Sequence, residues 1–379
     1  MTTLLYDENA YLTEFEAQVL SCEKTDNGFD VILDKTAFFP EEGGQKCDTG
    51  KIGNANVIYV RIENRTVIHT LDAEISGSVN CKINFKERFD KMQQHTGEHI
   101  VSGIVFEKYG YNNVGFHLAD DEVTFDFDGV LTRAQLDEIE DMANAVVFEN
   151  RNIKCYYPEQ SELGNLSYRS KLDLTENVRI VEIEGVDKCA CCAPHVSTTG
   201  QVGIIKLLDF ISYKGGVRIT MVCGERALKD YRTKCENLSV ISKSLSAPVN
   251  STSQFFEKYK TETESLKQTL SELRREIVTL KANAVTAVQG NLILFEDGLD
   301  MNMLRNFVNL LSGKYTGICA VFSKTENGFS YVAASDCINM RDIAKKMQSE
   351  LSSKGGGSDK MIQGNTAATK EQINAFFEI

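Results

Sequence analysis

Short apolar and polar runs alternate over the first 87 residues, which is the pattern of β-strands. Asp26-Asn27-Gly28 stands between an apolar run that ends at Leu20 and a second run at 29–33. Asn-Gly between such runs predicts a hairpin, because both residues tolerate positive φ. Three further short strands are predicted at 57–62, 67–71 and 79–85. We therefore expect a small β-barrel over residues 1–87.

Residues 88–225 combine helical and strand patterns. Residues 87–109 carry apolar side chains three and four positions apart, and Gly110 supplies a stop signal, so this segment predicts a helix. Thr132 is positioned to cap a second helix that runs to about residue 148. Strands are predicted at 114–118, 123–127, 153–157, 178–183, 202–210 and 217–223. This segment predicts a domain of α+β class.

A basic helix from about Glu225 is followed by a heptad pattern within the helical segment 226–287. We call its members the heptad seam: Phe256, Tyr259, Thr263, Leu266, Leu270, Leu273, Ile277, Leu280 and Ala284. Alternating spacings of three and four are typical of a coiled coil. The same pattern fits a long amphipathic helix packed on its own chain, for example as an antiparallel hairpin with the helix from Glu225. The sequence leaves both open.

Residues 288–379 predict a C-terminal α/β domain, so the whole chain is of α+β class with four parts. The strands are expected at 292–295, 318–322 and 331–334, and the helices at 301–311 and 340–351. A glycine run, Gly355 to Gly357, then lies between Lys354 and Lys360. Its backbone amides are suited to cradling a phosphate, although a flexible loop has the same composition.

Composition indicates a globular protein that is not embedded in a membrane. The hydrophobic fraction is 42% and the charged fraction 25% of 379 residues. No apolar run approaches the roughly 20 residues that span a bilayer, and the N-terminus lacks the features of a signal peptide. Eleven cysteines without a signal favour a reducing, cytoplasmic location, where thiols stay free or bind metal.

The net charge of -13 argues mildly against nucleic acid, but the charge is uneven. Residues 204–235 hold seven Lys or Arg against three acidic residues, whereas residues 116–150 hold ten acidic residues against one Arg. An acidic chain with a local basic face remains able to bind RNA. Both segments are equally compatible with ordinary solvated surfaces.

Two clusters of histidine and cysteine suggest a metal site. His95 and His99 are four apart in the first predicted helix, so both imidazoles lie on one helical face. About a hundred residues later comes Cys189-Ala190-Cys191-Cys192-Ala193-Pro194-His195. Histidine and cysteine are the ligands of zinc, and three histidines with one thiolate from a helix and a distant loop favour a catalytic over a structural site.

Three motifs in this order resemble the editing domain of alanyl-tRNA synthetases, and more closely the freestanding AlaX-type editing proteins of the long form. They are TAFFPEEGGQ at 36–45, HTGEH at 95–99 and CxxxH at 191–195. The match extends through VGFH at 114–117 and VSTTGQVG at 196–203. The tail, with GGGSDKMIQG, resembles the glycine-rich DHH-associated domain of those synthetases. The resemblance covers nearly the whole chain, and we expect no aminoacylation domain.

The resemblance implies a zinc-dependent hydrolase that deacylates mischarged alanine tRNA, chiefly Ser-tRNA(Ala) and secondarily Gly-tRNA(Ala). The implied zinc ligands are His95, His99, Cys191 and His195. The family's Cys-Gly-Gly-Thr-His reads Cys-Cys-Ala-Pro-His here, so Cys189 and Cys192 remain alternatives to Cys191 as the thiolate.

The resemblance also implies the residues that bind substrate and tRNA. Thr36 would hydrogen-bond the serine side chain, with Gly43, Gly44 and Gln45 shaping the same pocket. Candidates for holding the tRNA are Lys214, Arg218, Lys354, Gly355, Gly356, Gly357 and Lys360. A homodimer through the helical segment and the C-terminal domain is favoured.

Two alternatives remain at the level of sequence. His95 to His99 also fits H-x-x-E-H, the motif of a group of zinc peptidases in which Glu98 would be the general base. The chain is also compatible with a non-catalytic RNA-binding protein that zinc stabilises. Metal removal would unfold such a protein but would leave an editing enzyme folded and inactive.

Overall fold

The computed structural model describes residues 2–170 and 177–378. These residues form two compact units, Met1–Leu238 and Ser239–Ile379. The predicted mixture of helices and sheets is confirmed. Within the described ranges, no helix is long and apolar enough to cross a bilayer. All eleven cysteines lie in these ranges and are free thiols.

The first unit begins with a barrel of short strands. The elements of this part of the chain are β1 Thr3–Leu4, α1 Leu5–Glu8, β2 Glu14–Thr25, β3 Gly28–Leu33, β4 Lys35–Thr36, β5 Gly50–Ile52, β6 Ala55–Glu63, β7 Thr66–Leu71 and β8 Ser78–Ile83. Strands β2-β3-β7-β6-β5-β8 close on themselves around buried apolar side chains such as Val31, Leu33 and Leu71. The hairpin at Asp26-Asn27 forms as expected, although Thr25 pairs with Gly28, so Gly28 opens β3 rather than completing the turn.

Helix α2, Phe85–Tyr109, is the central element of the first unit. It ends where Gly110 adopts the left-handed conformation, with φ of 69°, which glycine adopts without strain. Nearly every residue from Arg88 to Val105 is buried. The helix is therefore covered on several sides, and its polar residues must find partners inside the protein.

Two small sheets and a second helix surround α2. The elements are β9 Asn113–Leu118, β10 Val123–Phe127, α3 Arg133–Glu149, β11 Ile153–Tyr156, α4 Gln160–Leu163, β12 Ile180–Ile183, β13 Asp187–Ala190, β14 Ile205–Tyr213 and β15 Gly216–Cys223. The sheet orders are β14-β15-β10-β9 and β11-β12-β13. Thr132 caps α3 in a reciprocal capping box with Gln135. The expected cysteine loop is partly strand, because Cys189 lies in β13 and pairs with Val181.

The boundary between the units falls within helix α5, Gly224–Ser244. The second unit continues with α6 Thr252–Ala284, β16 Leu292–Glu296, α7 Met301–Leu310, β17 Cys319–Thr325, β18 Gly328–Ala334, α8 Met340–Glu350, β19 Lys354–Gly357, β20 Met361–Thr366 and α9 Lys370–Phe377. The five strands form one sheet in the order β16-β17-β18-β20-β19. The interpretation of the glycine run as a flexible loop is wrong, because Lys354–Gly357 is an edge strand antiparallel to β20.

Helix α6 leaves the heptad seam uncovered within the described chain. Its C-terminal part packs on the core of the second unit through Val278 and Ala282, each 1% exposed. The large seam side chains remain exposed: Phe256, Tyr259, Leu266, Leu270, Leu273, Ile277 and Leu280. The buried face of this helix is therefore not the seam.

Candidate metal centre

Three histidines and one cysteine converge at the centre of the first unit. His95 and His99 come from α2, and Cys191 and His195 follow β13. Their potential ligand atoms all lie within 4.8 Å of one another. Cys191 Sγ is 3.6 Å from His95 Nε2 and 3.4 Å from His195 Nε2. Ligands of a tetrahedral ion with bonds of 2.0–2.3 Å are about 3.5 Å apart, so these donors fit one metal ion.

Among the three neighbouring cysteines, Cys191 is the one suited to bind as a thiolate. Burial opposes its ionisation, but His95 and His195 outweigh that effect and hold the pKa of Cys191 well below its ordinary value. Burial raises the pKa of Cys189 to about 11 and also raises the pKa of Cys192. Because the thiolate is the metal ligand, the geometry and the pKa directions both favour Cys191.

Each of the three histidines has its second ring nitrogen held by another side chain. His95 Nδ1 lies 2.8 Å from Gln45 Oε1, and His195 Nδ1 lies 2.9 Å from Thr96 Oγ1. His99 Nδ1 donates to Asp187 Oδ2 at 3.1 Å. Such contacts fix the ring orientation and leave Nε2 of each ring to face the metal position, as is usual for metal-binding histidines.

Asp187 is itself fixed by an arginine. Arg169 donates to both of its carboxylate oxygens, at 2.7 and 2.8 Å. Arg169 and His99 together hold the pKa of Asp187 low although burial acts in the opposite direction. His99, Asp187 and Cys189 also lie close enough to hold an ion. That trio is not an independent metal site, because Asp187 is already neutralised by Arg169 and His99 belongs to the larger cluster.

Helix α2 is fixed against β15 by a side chain and by a glycine within the HTGEH motif. Gln94 donates to the carbonyl of Cys223 at 2.9 Å and accepts from its amide at 2.7 Å. A Cβ at Gly97 would lie 2.4 Å from Cys223 Sγ. Gly97 therefore permits the close approach of helix and sheet that fixes the position of both α2 histidines.

A buried ion pair connects α2 to the barrel. Arg88 and Asp48 are 0% and 1% exposed, and the guanidinium also donates to the carbonyls of Ala10 and Ala37. Asp48 in turn accepts from the amide of Phe39 at 2.6 Å. The loop between β4 and β5, which carries the TAFFPEEGGQ motif, is thereby held over the helix.

The paired glycines of this loop form a tight turn beside the cluster. Glu42 and Gln45 pair across it, and Gly43 and Gly44 have φ of 63° and 82°. A Cβ at Gly44 would lie 2.4 Å from the carbonyl oxygen of Phe116, so only glycine fits there. Gln45 reaches His95 from this turn, and its Nε2 is buried without a hydrogen-bond partner in the described structure.

A cavity of about 370 Å³ opens onto the cluster. The side chains of His95, His99 and Cys191 line it, together with Glu42, Gly43, Glu98, Phe116, Tyr157, Arg169, Arg179, Cys189 and Cys192. The Phe116 ring lies 4.5 Å from the His95 ring and supplies an apolar wall. Arg179 donates to the carbonyls of Cys191 and Ala193, which fixes the cysteine segment.

Thr36 lies in β4, which pairs with β1 next to the barrel, and is not among the residues that line this cavity. It is fully buried, and its hydroxyl contacts His69 Nε2 at 2.8 Å.

Sequence reasoning missed Asp187, Arg169 and Arg179, which no local pattern marks. It also missed Thr96, although Thr96 lies inside the HTGEH motif.

The residues expected to hold tRNA have varied surroundings. Lys214 lies in the turn between β14 and β15, with Nζ 5.1 Å from the centre of the Tyr213 ring. Arg218 stacks on the same ring at 3.9 Å and is paired with both carboxylate oxygens of Asp126. Lys354, Gly355, Gly356 and Gly357 form the exposed strand β19, and Lys360 follows in an exposed turn.

Residues 178–220 match the family described as the threonyl and alanyl tRNA synthetase second additional domain. Residues 284–379 match the DHHA1 domain. The chain is 29% identical to the alanine–tRNA ligase of Ignicoccus hospitalis over 94% of this chain and 40% of that relative. It is 30% identical to the alanine–tRNA ligase of Thermofilum pendens, over 97% and 43% respectively.

The chain thus spans about two fifths of the length of these ligases. It is also 28% identical to the alanyl-tRNA editing protein AlaX-L of Pyrococcus horikoshii, over 98% of this chain and 96% of that relative. The resemblance predicted from the three motifs is confirmed: both domain types are present, and the similarity to AlaX-L runs along nearly the whole of both chains.

Proposed function

We propose that this chain is a trans-editing hydrolase that removes serine, and secondarily glycine, from mischarged alanine tRNA at a zinc site. The observation that carries the proposal is the cluster of His95, His99, Cys191 and His195, because its first three members line a cavity. The full-length similarity to an alanyl-tRNA editing protein supports this substrate class.

The donor set supports zinc as the metal. One thiolate and three neutral imidazoles are preferred zinc ligands, whereas calcium and magnesium prefer oxygen. Burial lowers the pKa of His195 to about 3, which keeps its imidazole neutral and able to bind metal. Bound zinc would supply a Lewis acid that lowers the pKa of water or orients the ester.

The chain's own groups would position the substrate. An aminoacyl ester is already activated and needs mainly a positioned water and stabilisation of the developing oxyanion. The cavity of about 370 Å³ is at the small end of ligand pockets, in keeping with an aminoacyl group and part of its terminal nucleoside. Gln45 is fully buried and its Oε1 fixes the His95 ring, which would hold that ligand toward the metal.

The structure offers less support for the two alternatives. In an H-x-x-E-H peptidase, an acidic side chain supplies the third ligand, but here the cluster is completed by Cys191 and His195. A purely structural zinc site is usually closed, whereas this cluster lines a cavity.

Deacylation of defined substrates tests the proposal. The purified chain is incubated with Ser-tRNA(Ala), Gly-tRNA(Ala) and Ala-tRNA(Ala), and the remaining ester is followed over time. We expect the serine ester to be hydrolysed fastest and the alanine ester to be spared. Chelation of the metal should stop hydrolysis without a loss of helical circular dichroism. Hydrolysis of casein without any tRNA deacylation would support the peptidase instead.

The second unit is proposed to supply tRNA affinity and assembly. All cluster residues and the glycine turn lie before residue 200, so the hydrolytic site is complete within the first unit. The exposed Lys354–Gly357 strand and Lys360 are candidates for contacts to the tRNA backbone, with Lys214 and Arg218 as candidates in the first unit. The exposed heptad seam is proposed to pair with a second copy of the chain in a homodimer.

A further inference from the structure

Tyr157 places an exposed aromatic ring at the cavity of the metal cluster. It lines that cavity together with His95, His99 and Cys191. Tyr157 is 53% exposed, whereas His95 and His99 are 4% and 3% exposed. The tyrosine therefore belongs to the outer, solvent-facing part of the cavity and the histidines to its inner end. An aromatic ring that stays half in water gains stability from a flat ligand that covers its face.

The position of this ring is restrained by its neighbours. Tyr157 follows strand β11 and precedes Pro158, and a residue before proline is restricted to extended backbone conformations. Its hydroxyl donates a hydrogen bond to Asp7 Oδ2 at 2.9 Å. Asp7, whose side chain is 15% exposed, forms an ion pair with Arg179 at 3.4 Å. A ring that is already held in place loses little conformational entropy when a ligand binds to it.

Arg179 connects this ring to the metal cluster. Its guanidinium donates to the carbonyls of Cys191 and Ala193, at 3.0 and 2.9 Å. The contacts from Tyr157 through Asp7 and Arg179 to the cysteine segment therefore set the spacing between the ring and the candidate ligand Cys191. The charges of Asp7 and Arg179 are paired with each other, so the ring face is the part of this network that is left to a ligand.

The substrate of the proposed reaction carries a flat group next to the bond that is cleaved. In an aminoacyl ester of tRNA, that bond joins the amino acid to the terminal ribose, which also carries an unpaired adenine base. The cavity of about 370 Å³ accommodates the aminoacyl group and part of this nucleoside, so an ester at the metal cluster leaves its base toward the opening. Proteins bind unpaired bases by stacking them on aromatic side chains.

The second phenylalanine or tyrosine ring that lines the cavity, within the described residues, is that of Phe116. It packs on the His95 ring at 4.5 Å, which places it beside the candidate ligands at the inner end. A base that stacked there would occupy the position that the ester needs. The exposed ring of Tyr157 is therefore the better platform for the base.

We propose that the ring of Tyr157 stacks on the terminal base of the tRNA and so holds the ester at the metal cluster. This inference rests on the proposed function, since it deepens substrate recognition at the same site. It makes Tyr157 a substrate-binding residue, and it makes Asp7 and Arg179 positioning residues that act through the tyrosine hydroxyl and the cysteine segment.

The test compares two minihelices that both carry a seryl ester. One ends in adenosine, and the other ends in the same ribose without a base. The ratio of kcat/KM for the two substrates is measured for the unaltered protein, Tyr157→Leu, Tyr157→Phe and Tyr156→Leu. Tyr156 is the matched control, because it precedes Tyr157 in the chain and its hydroxyl donates to Glu182 at 3.1 Å. A change in zinc content or fold affects both substrates equally and cancels in the ratio.

We expect Tyr157→Leu to lower the preference for the adenosine-ended minihelix about fivefold to a hundredfold, which corresponds to the loss of one stacked base. The loss should appear mainly as a higher KM for that substrate, because stacking is binding energy that does not change during the reaction. Tyr157→Phe keeps the ring and should retain most of the preference, and Tyr156→Leu should retain all of it. An unchanged ratio in Tyr157→Leu would overturn the inference, even if both rates fell, because Tyr157 would then be a structural contact.

A second variant covers the case in which Tyr157→Leu does not fold. The chain has no tryptophan, so the fluorescence of Tyr157→Trp reports on this position alone. An uncharged minihelix that ends in adenosine should quench this fluorescence more strongly than one without the terminal base, and equal quenching by both would overturn the inference. If the unaltered protein hydrolyses neither ester, the proposed function fails. Equal hydrolysis of both esters would leave the proposed function intact and overturn this inference alone.

Discussion

The hydroxyl of Thr36 in β4 donates a hydrogen bond of 2.8 Å to His69 Nε2 in the barrel strand β7. The direction follows from the other nitrogen: His69 Nδ1 lies 3.2 Å from the carbonyl oxygen of Val31, which only accepts, so Nδ1 carries the proton. The Thr36 oxygen in turn accepts from the Phe38 amide at 3.1 Å. Thr36 therefore joins β4 to the barrel through His69, whatever part it also has in recognising serine.

The first prediction concerns this bond. Thr36→Val removes a buried hydroxyl and leaves the partners at His69 and Phe38 unsatisfied, so the unfolding free energy should fall by about 1–3 kcal/mol. Thr36→Ser keeps the hydroxyl and should cost less. Urea unfolding followed by tyrosine fluorescence measures both, since the chain has no tryptophan. If Thr36 also reads serine, the folded Val variant alone should lose selectivity for Ser-tRNA(Ala) over Ala-tRNA(Ala).

The second prediction is a pH dependence of stability. Burial lowers the pKa of His69 to about 4, whereas an unfolded histidine has a pKa of about 6.5. Between these values the unfolded chain binds a proton that the folded barrel excludes, so the unfolding free energy falls as pH falls. The loss approaches about 3 kcal/mol near pH 4. The difference in stability between the unaltered protein and His69→Asn, measured from pH 7.5 to 4.5, isolates this contribution, and a difference independent of pH would contradict it.

Much of the fold could be predicted from local patterns, because apolar spacing, caps and stop signals depend only on residues that are neighbours in the sequence. The spacing of apolar residues and Gly110 predicted α2 to within two residues at its start, and Thr132 predicted the cap of α3. Strand β19 was missed because three glycines offer no side-chain alternation, and its conformation comes from pairing with β20. The exposed seam could not be assigned a partner, since a heptad pattern is the same for packing within and between chains.

In the candidate site, too, the features set by local sequence were predicted and those set by long-range contacts were not. His95, His99, Cys191 and His195 were predicted from spacing and motif order, and the structure brings them together. Asp187, Arg169 and Thr96 orient the ligands through contacts that join distant segments, and such contacts leave no periodic trace in sequence. The motif selected Cys191, but geometry was needed to decide against Cys189 and Cys192, because all three cysteines lie within four residues.

The third prediction tests the thiolate. Cys191→Ala should bind zinc much more weakly than the unaltered protein, because one of four ligands is lost. Cys192→Ala and Cys189→Ala are matched controls and should retain a full complement, since burial keeps those thiols protonated. Metal analysis after dialysis against a weak chelator gives the stoichiometry. A full zinc content in Cys191→Ala would mean that another cysteine supplies the thiolate or that the four-ligand site does not exist.

The fourth prediction concerns the partner of His99. Asp187→Asn keeps the shape of the side chain but removes the charge that orients the His99 ring, so zinc affinity should fall about tenfold to a hundredfold. Competition with a chromophoric chelator measures this affinity. Asp126→Asn is a control, because Asp126 pairs with Arg218 and is outside the cluster. Equal affinities for Asp187→Asn and the unaltered protein would leave Arg169 and Asp187 with a purely structural part.

The last prediction concerns the exposed heptad seam. Seven large apolar side chains on one face of α6 are 48% to 70% exposed, and a continuous exposed apolar stripe of this kind marks an interaction surface. A parallel partner helix from a second copy would bury the stripe along its length and align equivalent positions, as in a two-stranded coiled coil. Leu266→Glu together with Leu273→Glu would then place like charges in the buried seam of the dimer.

Sedimentation equilibrium should therefore show a dimer for the unaltered chain and a monomer for the double variant. Ser265→Glu adds a charge to an exposed position outside the seam and should leave the dimer intact. Because the cluster lies within the first unit, the monomeric variant should keep its zinc and its hydrolysis of a short aminoacylated minihelix. Activity on full tRNA should fall mainly through a higher KM, since only binding energy is removed. A monomeric unaltered chain would contradict the dimer, and loss of minihelix hydrolysis in a folded monomer would make assembly part of the catalytic site.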